Sequence, residues 1–208
     1  LLDLKSGKPA DLYADIVVNA TGAWAGEIVE TISVKVPVKP TPGVMVAFEQ
    51  RFIQRTVNRL SNPGDGDIVL PQRRMAVVGT TSFEIDNPDY VPVLEEHVKL
   101  MIERGSQLIP AIAGAKVRGK YMATRPLIGG GEGRSVARTF KCYDHKEMHN
   151  LDGLVTITGG KATTLRAMAE TTADIVCAKL GMNVPCTTRE TPLLSYRKYY
   201  MQPNEDLR

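Results

Sequence analysis

A chain of 208 residues that is 43% apolar, with 26 lysines and arginines against 23 aspartates and glutamates, has room for one large or two small domains with a substantial core. The net charge of +3 is small and the basic residues are scattered, which argues against nucleic acid or a membrane surface as a direct partner. No apolar run approaches the roughly 18 residues that span a bilayer. Cys142, Cys177 and Cys186 form no C-x-x-C pair, which points to reduced thiols in a cytoplasmic setting.

The chain opens without methionine on what reads as a hairpin, with Leu1 to Leu4 as one arm and a turn at Ser6-Gly7-Lys8-Pro9. It is therefore expected to be part of a longer protein. Residues 14–20 are a continuous apolar run, expected as a strand buried on both faces of a parallel sheet. Thr21-Gly22-Ala23-Trp24-Ala25-Gly26 follows, then a short helix carrying Ile28, Val29 and Ile32, with Trp24 read first as core filling. From 34 to about 86 the apolar residues alternate (Val34, Val36, Val38; Val44, Val46, Phe48; Ile68, Leu70; Met75, Val77) between glycines and prolines, the pattern of an antiparallel sheet. Pro92 is expected to open an amphipathic helix through about Leu108, with Val98, Met101 and Ile102 inward. Asp89 is its candidate cap, and His97 falls on the apolar stripe as a packing histidine.

Residues 117–127 and 135–143 read as two further strands joined by the glycine-rich loop 129–133. Alternation sets Ala123, Arg125 and Leu127 on one face, so Arg125 is expected to point into the protein or a cleft. A buried arginine requires either an acidic partner or an anionic ligand. Arg138, among Val136, Ala137 and Phe140, reads as surface on an edge strand.

The most informative stretch is Leu154-Val155-Thr156-Ile157-Thr158-Gly159-Gly160-Lys161-Ala162-Thr163-Thr164-Leu165-Arg166. It reads as strand, tight turn and helix, with Leu165, Met168, Ala169, Thr172, Ile175, Val176 and Leu180 along one helical face. The glycines then stand at a helix N-terminus, where unpartnered backbone N–H groups and the macrodipole favour an anion or a ligand oxygen. Lys161 adds a full charge. A Walker loop would need glycine at 155 and a hydroxyl at 162, where valine and alanine stand, and no G-x-G-x-x-G spacing occurs. Two strand–glycine–helix units suggest a doubly wound sheet whose turns open on one crevice at the carboxyl ends of the strands.

Taken together, Val17-Val18-Asn19-Ala20-Thr21-Gly22-Ala23-Trp24, Gly79-Thr80-Thr81, Thr124-Arg125-Pro126-Leu127 and the stretch from Ile157 to Arg166 resemble FAD-dependent glycerol-3-phosphate dehydrogenases. Pro185-Cys186-Thr187-Thr188 leans toward the catalytic component of the anaerobic type. This family lies within the glycine oxidase and D-amino-acid oxidase superfamily. The resemblance implies an α/β fold with an α+β substrate domain. Residues 1–33 and 150–182 would form a partial Rossmann-like FAD domain, 34–149 an antiparallel substrate-binding sheet, and 183–208 a linker or C-terminal extension.

It implies FAD as cofactor, flanked by Thr21, Gly22, Trp24, Gly159, Gly160, Lys161, Ala162 and Thr163, and no metal. Arg125 and Arg138 would face the substrate phosphate, and Lys161, beside the reacting carbon, would both bind substrate and serve catalysis. The implied reaction oxidises sn-glycerol 3-phosphate to dihydroxyacetone phosphate, with electrons passed to a quinone or another acceptor. The implied partners are a small phosphorylated substrate, the remaining N-terminal FAD-binding half of the polypeptide, and membrane-associated electron-transfer subunits. The setting would be cytoplasmic or peripheral at the inner face of the cell membrane. The family's G-x-G-x-x-G unit and cysteine-rich C-terminal domain are absent here, so the isolated piece is expected to be inactive. Some relatives carry a histidine near Pro40-Thr41-Pro42-Gly43, where this chain has none, which leaves the catalytic base unassigned. A 2-hydroxy-acid or amino-acid oxidoreductase of the same superfamily, or a non-catalytic anion-binding module, would use the same features differently.

Overall fold

The computed structural model describes residues 5–60, 65–129 and 139–195. They form two sheets. The smaller has three strands in the order β1 (Val17–Asn19), β8 (Leu154–Gly159), β7 (Phe140–Asp144), with β1 parallel and β7 antiparallel to the central β8. β8 can occupy the middle because its side chains are covered on both faces. Val155 and Ile157 bury apolar surface, while Thr156 and Thr158 are equally enclosed. The Thr156 hydroxyl lies 2.8 Å from His145 Nε2 and 3.4 Å from Asn19 Nδ2, which satisfies it inside the sheet. Helix α1 (Ala25–Glu30) follows β1 through a 3-10 turn, Gly22–Trp24, the short α3 (His145–His149) follows β7, and α4 (Leu165–Lys179) follows β8 through a second 3-10 turn, Ala162–Thr164. At its far end α4 is tied down by Lys179, whose ammonium lies 2.8 Å from both Asp144 and Asp152.

The larger sheet is wholly antiparallel, in the order β3 (Val57–Asn58), β4 (Ile68–Gln72), β5 (Met75–Gly79), β2 (Val38–Phe48), β6 (Val117–Ile128). The alternating residues of β2 and β5 put Val44, Val46, Phe48, Ala76 and Val78 on one face. There α2 (Glu95–Leu108) lays Val98 and Met101 across them to close the core with Val69 and Ile112. Gly105 lets the helix approach, since a Cβ there would stand 2.8 Å from a Val78 methyl. The His97 ring packs on Phe83 with centroids 4.5 Å apart, the packing role expected of it, but its buried Nδ1 is not satisfied by a hydrogen bond among the described residues.

Several local expectations are corrected. Of the run 14–20 only Val17–Asn19 forms a strand, and Val17 and Val18 are 56% and 43% exposed instead of buried on both faces. Apolar character marks a strand that wants two neighbours, and among the described residues β1 pairs with β8 alone. The stripe on α4 is likewise only partly covered. Thr172 is buried but Leu165 and Leu180 stand out. Helix α2 begins at Glu95, not Pro92, because Leu94 is extended at φ −73°, ψ 140°. Asp89 does not cap it and instead accepts a hydrogen bond from Trp24.

Val34 and Val36 lie outside β2 and pack with Val29 of α1. β7, expected within the antiparallel sheet of 34–149, joins β8 in the smaller sheet. Arg138, Leu1 to Leu4 and residues 130–133 of the glycine loop lie outside the described residues.

Candidate functional site

The parallel pairing of β1 with β8 brings the turns that follow them to the same edge of the smaller sheet. Both turns are built for close approach. Gly159 and Gly160 have φ of +83° and +77°, a region costly for residues with a side chain. Space forbids a Cβ as well, since one at 159 would run into the Thr139 carbonyl and one at 160 into Met168 Sδ. Past the glycines Lys161 is extended. Its N–H donates to Thr164 Oγ1 at 2.9 Å, and that hydroxyl donates back to the Lys161 carbonyl at 2.9 Å. This ring holds the 3-10 turn so that the N–H groups of Ala162 and Thr163 have no preceding turn to bond. Lys161 is exposed, and its ammonium has no ion-pair partner among the described residues.

At the β1 turn, Asn19 acts as the bracket. It is 3% exposed, its amide donates to the Ala25 carbonyl at 2.9 Å, and its carbonyl oxygen accepts from the Thr21 hydroxyl at 2.7 Å. Gly22 has φ of +64° with nothing within 4 Å of where a Cβ would stand, so its backbone is open on that side. Trp24 is 40% exposed and not core filling, and its Nε1–H donates to Asp89 Oδ1 at 2.7 Å. That bond fastens the β1 turn to the loop leading into α2. Beneath β8, His145 is fully buried with Nδ1 3.0 Å from His149 Nδ1. Burial, and then the neighbouring His149, push its pKa below the usual imidazole value, so it serves here as a neutral structural group.

A cleft of about 650 Å³ runs between the end of β6 and the β8 turn. Arg125 and Leu127 line it from one side, and Gly159, Gly160, Lys161, Ala162 and Met168 from the other. Arg125 Nη1 donates to the Thr41 carbonyl at 3.3 Å and Nη2 to the Thr80 hydroxyl at 3.0 Å. Gly43 lies directly under the guanidinium. A Cβ there would come within 3.0 Å of Thr80 Oγ1 and of both terminal nitrogens.

Of the residues singled out in the sequence, Arg125, Gly159, Gly160, Lys161 and Ala162 therefore meet in one cleft. Thr21, Gly22 and Trp24 stand on the adjacent turn, and Thr163 lies one residue beyond the lining. Asn19, Gly43 and Thr80 were not singled out as site residues. In the sequence Pro40, Pro42 and Gly43 read as a break between two alternating runs, whereas β2 passes through them as one strand, and a glycine inside a strand marks a close approach. Gly43→Ala should lower stability by about 1–3 kcal/mol through this overlap. Urea unfolding checks it, and an unchanged midpoint would mean that the guanidinium yields freely.

A family model described as FAD dependent oxidoreductase matches residues 4–175. The chain belongs to this family. It is 40% identical over 192 residues to the A1 subunit of anaerobic glycerol-3-phosphate dehydrogenase from Haloferax volcanii, a match covering 90% of this chain and 33% of that one. It is 37% identical over 193 residues to the corresponding subunit of the Escherichia coli K12 anaerobic enzyme, covering 90% and 36%. Among solved structures it resembles the glycerol-3-phosphate dehydrogenase of Bacillus halodurans complexed with FAD, at a TM-score of 0.72, 27% identity and coverage of 90% and 36%. Glycine oxidase of Bacillus cereus shares the fold, with a TM-score of 0.57 at 18% identity over 84% of this chain and 45% of that one. The chain thus spans about a third of the length of the curated relatives it matches.

The residues present fit part of a flavin site. Open glycine backbone at 22, the N–H groups of 162 and 163, which have no backbone acceptor among the described residues, and a lysine ammonium form a donor set suited to an electron-rich ring edge.

Proposed function

We propose that this chain supplies the substrate-facing part of a FAD-dependent dehydrogenase that converts sn-glycerol 3-phosphate to dihydroxyacetone phosphate. The observation that carries this reading is the placement of Arg125 and Lys161 in the lining of one cleft, in a chain that belongs to the FAD dependent oxidoreductase family. FAD, when bound, supplies the hydride acceptor. Arg125 takes the phosphate through its planar fork, which suits a dianion with three acceptor oxygens. Lys161 orients the substrate oxygen at the reacting carbon and favours the build-up of negative charge there. The Gly159–Gly160 turn lets backbone come close without a side chain between.

Arg138, next along the chain from the glycine loop, is proposed as a second phosphate contact. Thr21, Gly22, Trp24, Gly159, Gly160, Ala162 and Thr163 are proposed to flank the cofactor. Residues 1–33 and 150–182 are assigned to the cofactor side, 34–149 mainly to the substrate side, and 183–208 to a linker or extension. The rest of the polypeptide would hold the ADP half of FAD. Electrons would pass to a quinone or another acceptor through membrane-associated subunits that keep the protein at the inner face of the cell membrane. Among the described residues no helix is long and apolar enough to cross a membrane.

A dye-reduction assay of the full-length protein, run with sn-glycerol 3-phosphate, glycine, lactate and unphosphorylated glycerol, tests the reading. Phosphorylated glycerol should be preferred over the others by at least about a hundredfold in kcat/KM, the worth of one or two sheltered charged contacts. Preference for glycine or lactate would move the chain to the amino-acid or hydroxy-acid oxidoreductases.

A further inference from the structure

The Thr80 side chain stands behind Arg125, on the stretch that follows β5. Its hydroxyl donates to the Thr81 carbonyl at 3.1 Å. An arginine nitrogen can only donate, so toward Arg125 Nη2, 3.0 Å away, the same oxygen serves as acceptor. The hydroxyl is therefore oriented before any ligand arrives. Thr81 in turn is anchored to β2. It is 1% exposed, and its Oγ1 accepts from the Val44 N–H at 2.9 Å. The other terminal nitrogen, Nη1, is held by the Thr41 carbonyl on β2, and Gly43 supplies the flat floor under the group.

Two acceptors on separate segments and a floor determine the plane of a guanidinium. Plane matters for this ligand, because a bidentate contact to phosphate needs both N–H vectors aimed at two oxygens. A lone positive charge needs no such aim.

We propose that Thr80 is a positioning residue that sets the plane of the Arg125 guanidinium and thereby contributes to selection of a phosphate monoester. This rests on the reading that Arg125 meets the substrate phosphate. Loss of the hydroxyl leaves the charge of Arg125 in place and removes one of the contacts that orient it, so the penalty falls on substrate affinity and on phosphorylated substrate in particular.

The test uses the full-length holoenzyme with Thr80→Val, which keeps the shape and removes the acceptor, and Thr80→Ser, which keeps the acceptor. The readout is kcat and KM for sn-glycerol 3-phosphate and kcat/KM for glycerol, each alone and in an Arg125→Ala background. Thr80→Val should raise KM for sn-glycerol 3-phosphate about threefold to tenfold, with a much smaller change in kcat, in line with one lost hydrogen bond to a charged group. The preference for phosphorylated substrate should fall by the same factor. Thr80→Ser should restore it to within about twofold, and Thr80→Val should add nothing once Arg125 is alanine. If Thr80→Val does not fold, Thr80→Ala is read against Thr80→Ser in the same way.

A normal loss on Arg125→Ala with an indifferent Thr80→Val overturns the role of Thr80 alone. Equal losses on both substrates, or a further loss in the Arg125→Ala background, also overturn it. If Arg125→Ala itself spares the phosphate preference, the phosphate reading falls and the role of Thr80 falls with it.

Discussion

Arg125→Ala in the full-length protein is expected to lower kcat/KM for sn-glycerol 3-phosphate about tenfold to a hundredfold, and to erase most of its advantage over unphosphorylated glycerol. The magnitude follows from one charge-assisted, bidentate contact sheltered in a cleft, worth about 1.5–3 kcal/mol, with 1.4 kcal/mol for each factor of ten. Arg125→Lys should recover only part of the loss. An ammonium keeps the charge but cannot bond the Thr41 carbonyl and the Thr80 hydroxyl while presenting a fork to phosphate. Steady-state kinetics on both substrates, in wild type and both variants, decide the matter. Equal losses on phosphorylated and unphosphorylated substrate would make Arg125 a brace between β6 and β2, and the phosphate assignment would be withdrawn.

Lys161→Met is expected to act on turnover. The side chain is exposed at the mouth of the cleft and lacks an ion-pair partner among the described residues, so its removal leaves no buried carboxylate stranded and should barely alter stability. Loss of the charge proposed to lie beside the reacting carbon should reduce kcat by about tenfold to a hundredfold, again the worth of one charge-assisted contact. It should also make the bound flavin harder to reduce, because a cation near the ring favours the electron-rich form. Stopped-flow reduction and a potentiometric titration of the two proteins measure the two effects separately. An unchanged rate together with an unchanged potential would confine Lys161 to the surface.

What could be read from the residues, and what could not, divides on physical lines. Alternation along β6 was enough to turn Arg125 inward, because period-2 geometry assigns faces without knowledge of the partner strand. The paired glycines at 159 and 160 were legible as a turn, and their positive φ and crowded surroundings supply the reason. Burial was harder to read. Val17 and Val18 look like core and are exposed, as are Leu165 and Leu180 of the α4 stripe, since hydrophobicity records what a residue prefers and not what the chain places against it.

Long-range polar pairings were invisible for a different reason. Trp24 with Asp89, Arg125 with Thr80, and Asn19 with Thr156 join residues 65, 45 and 137 positions apart. No local pattern encodes such a bond, and Gly43, which reads as a break between runs until β2 is seen to pass through it, gave no hint of the guanidinium above it. The same limit explains β7. Its residues alternate well enough to be a strand, but its choice of β8 over β6 depends on the sheet it can reach.

The most direct test is a crystal structure of the full-length protein with FAD and dihydroxyacetone phosphate. Phosphate oxygens are expected within hydrogen-bond distance of both Arg125 terminal nitrogens, with the Thr80 and Thr41 contacts retained behind them and the carbonyl end of the ligand beside Lys161. A phosphate bound elsewhere, with Arg125 turned away from it and Lys161 in solvent, would contradict the assignment of this cleft as the substrate site.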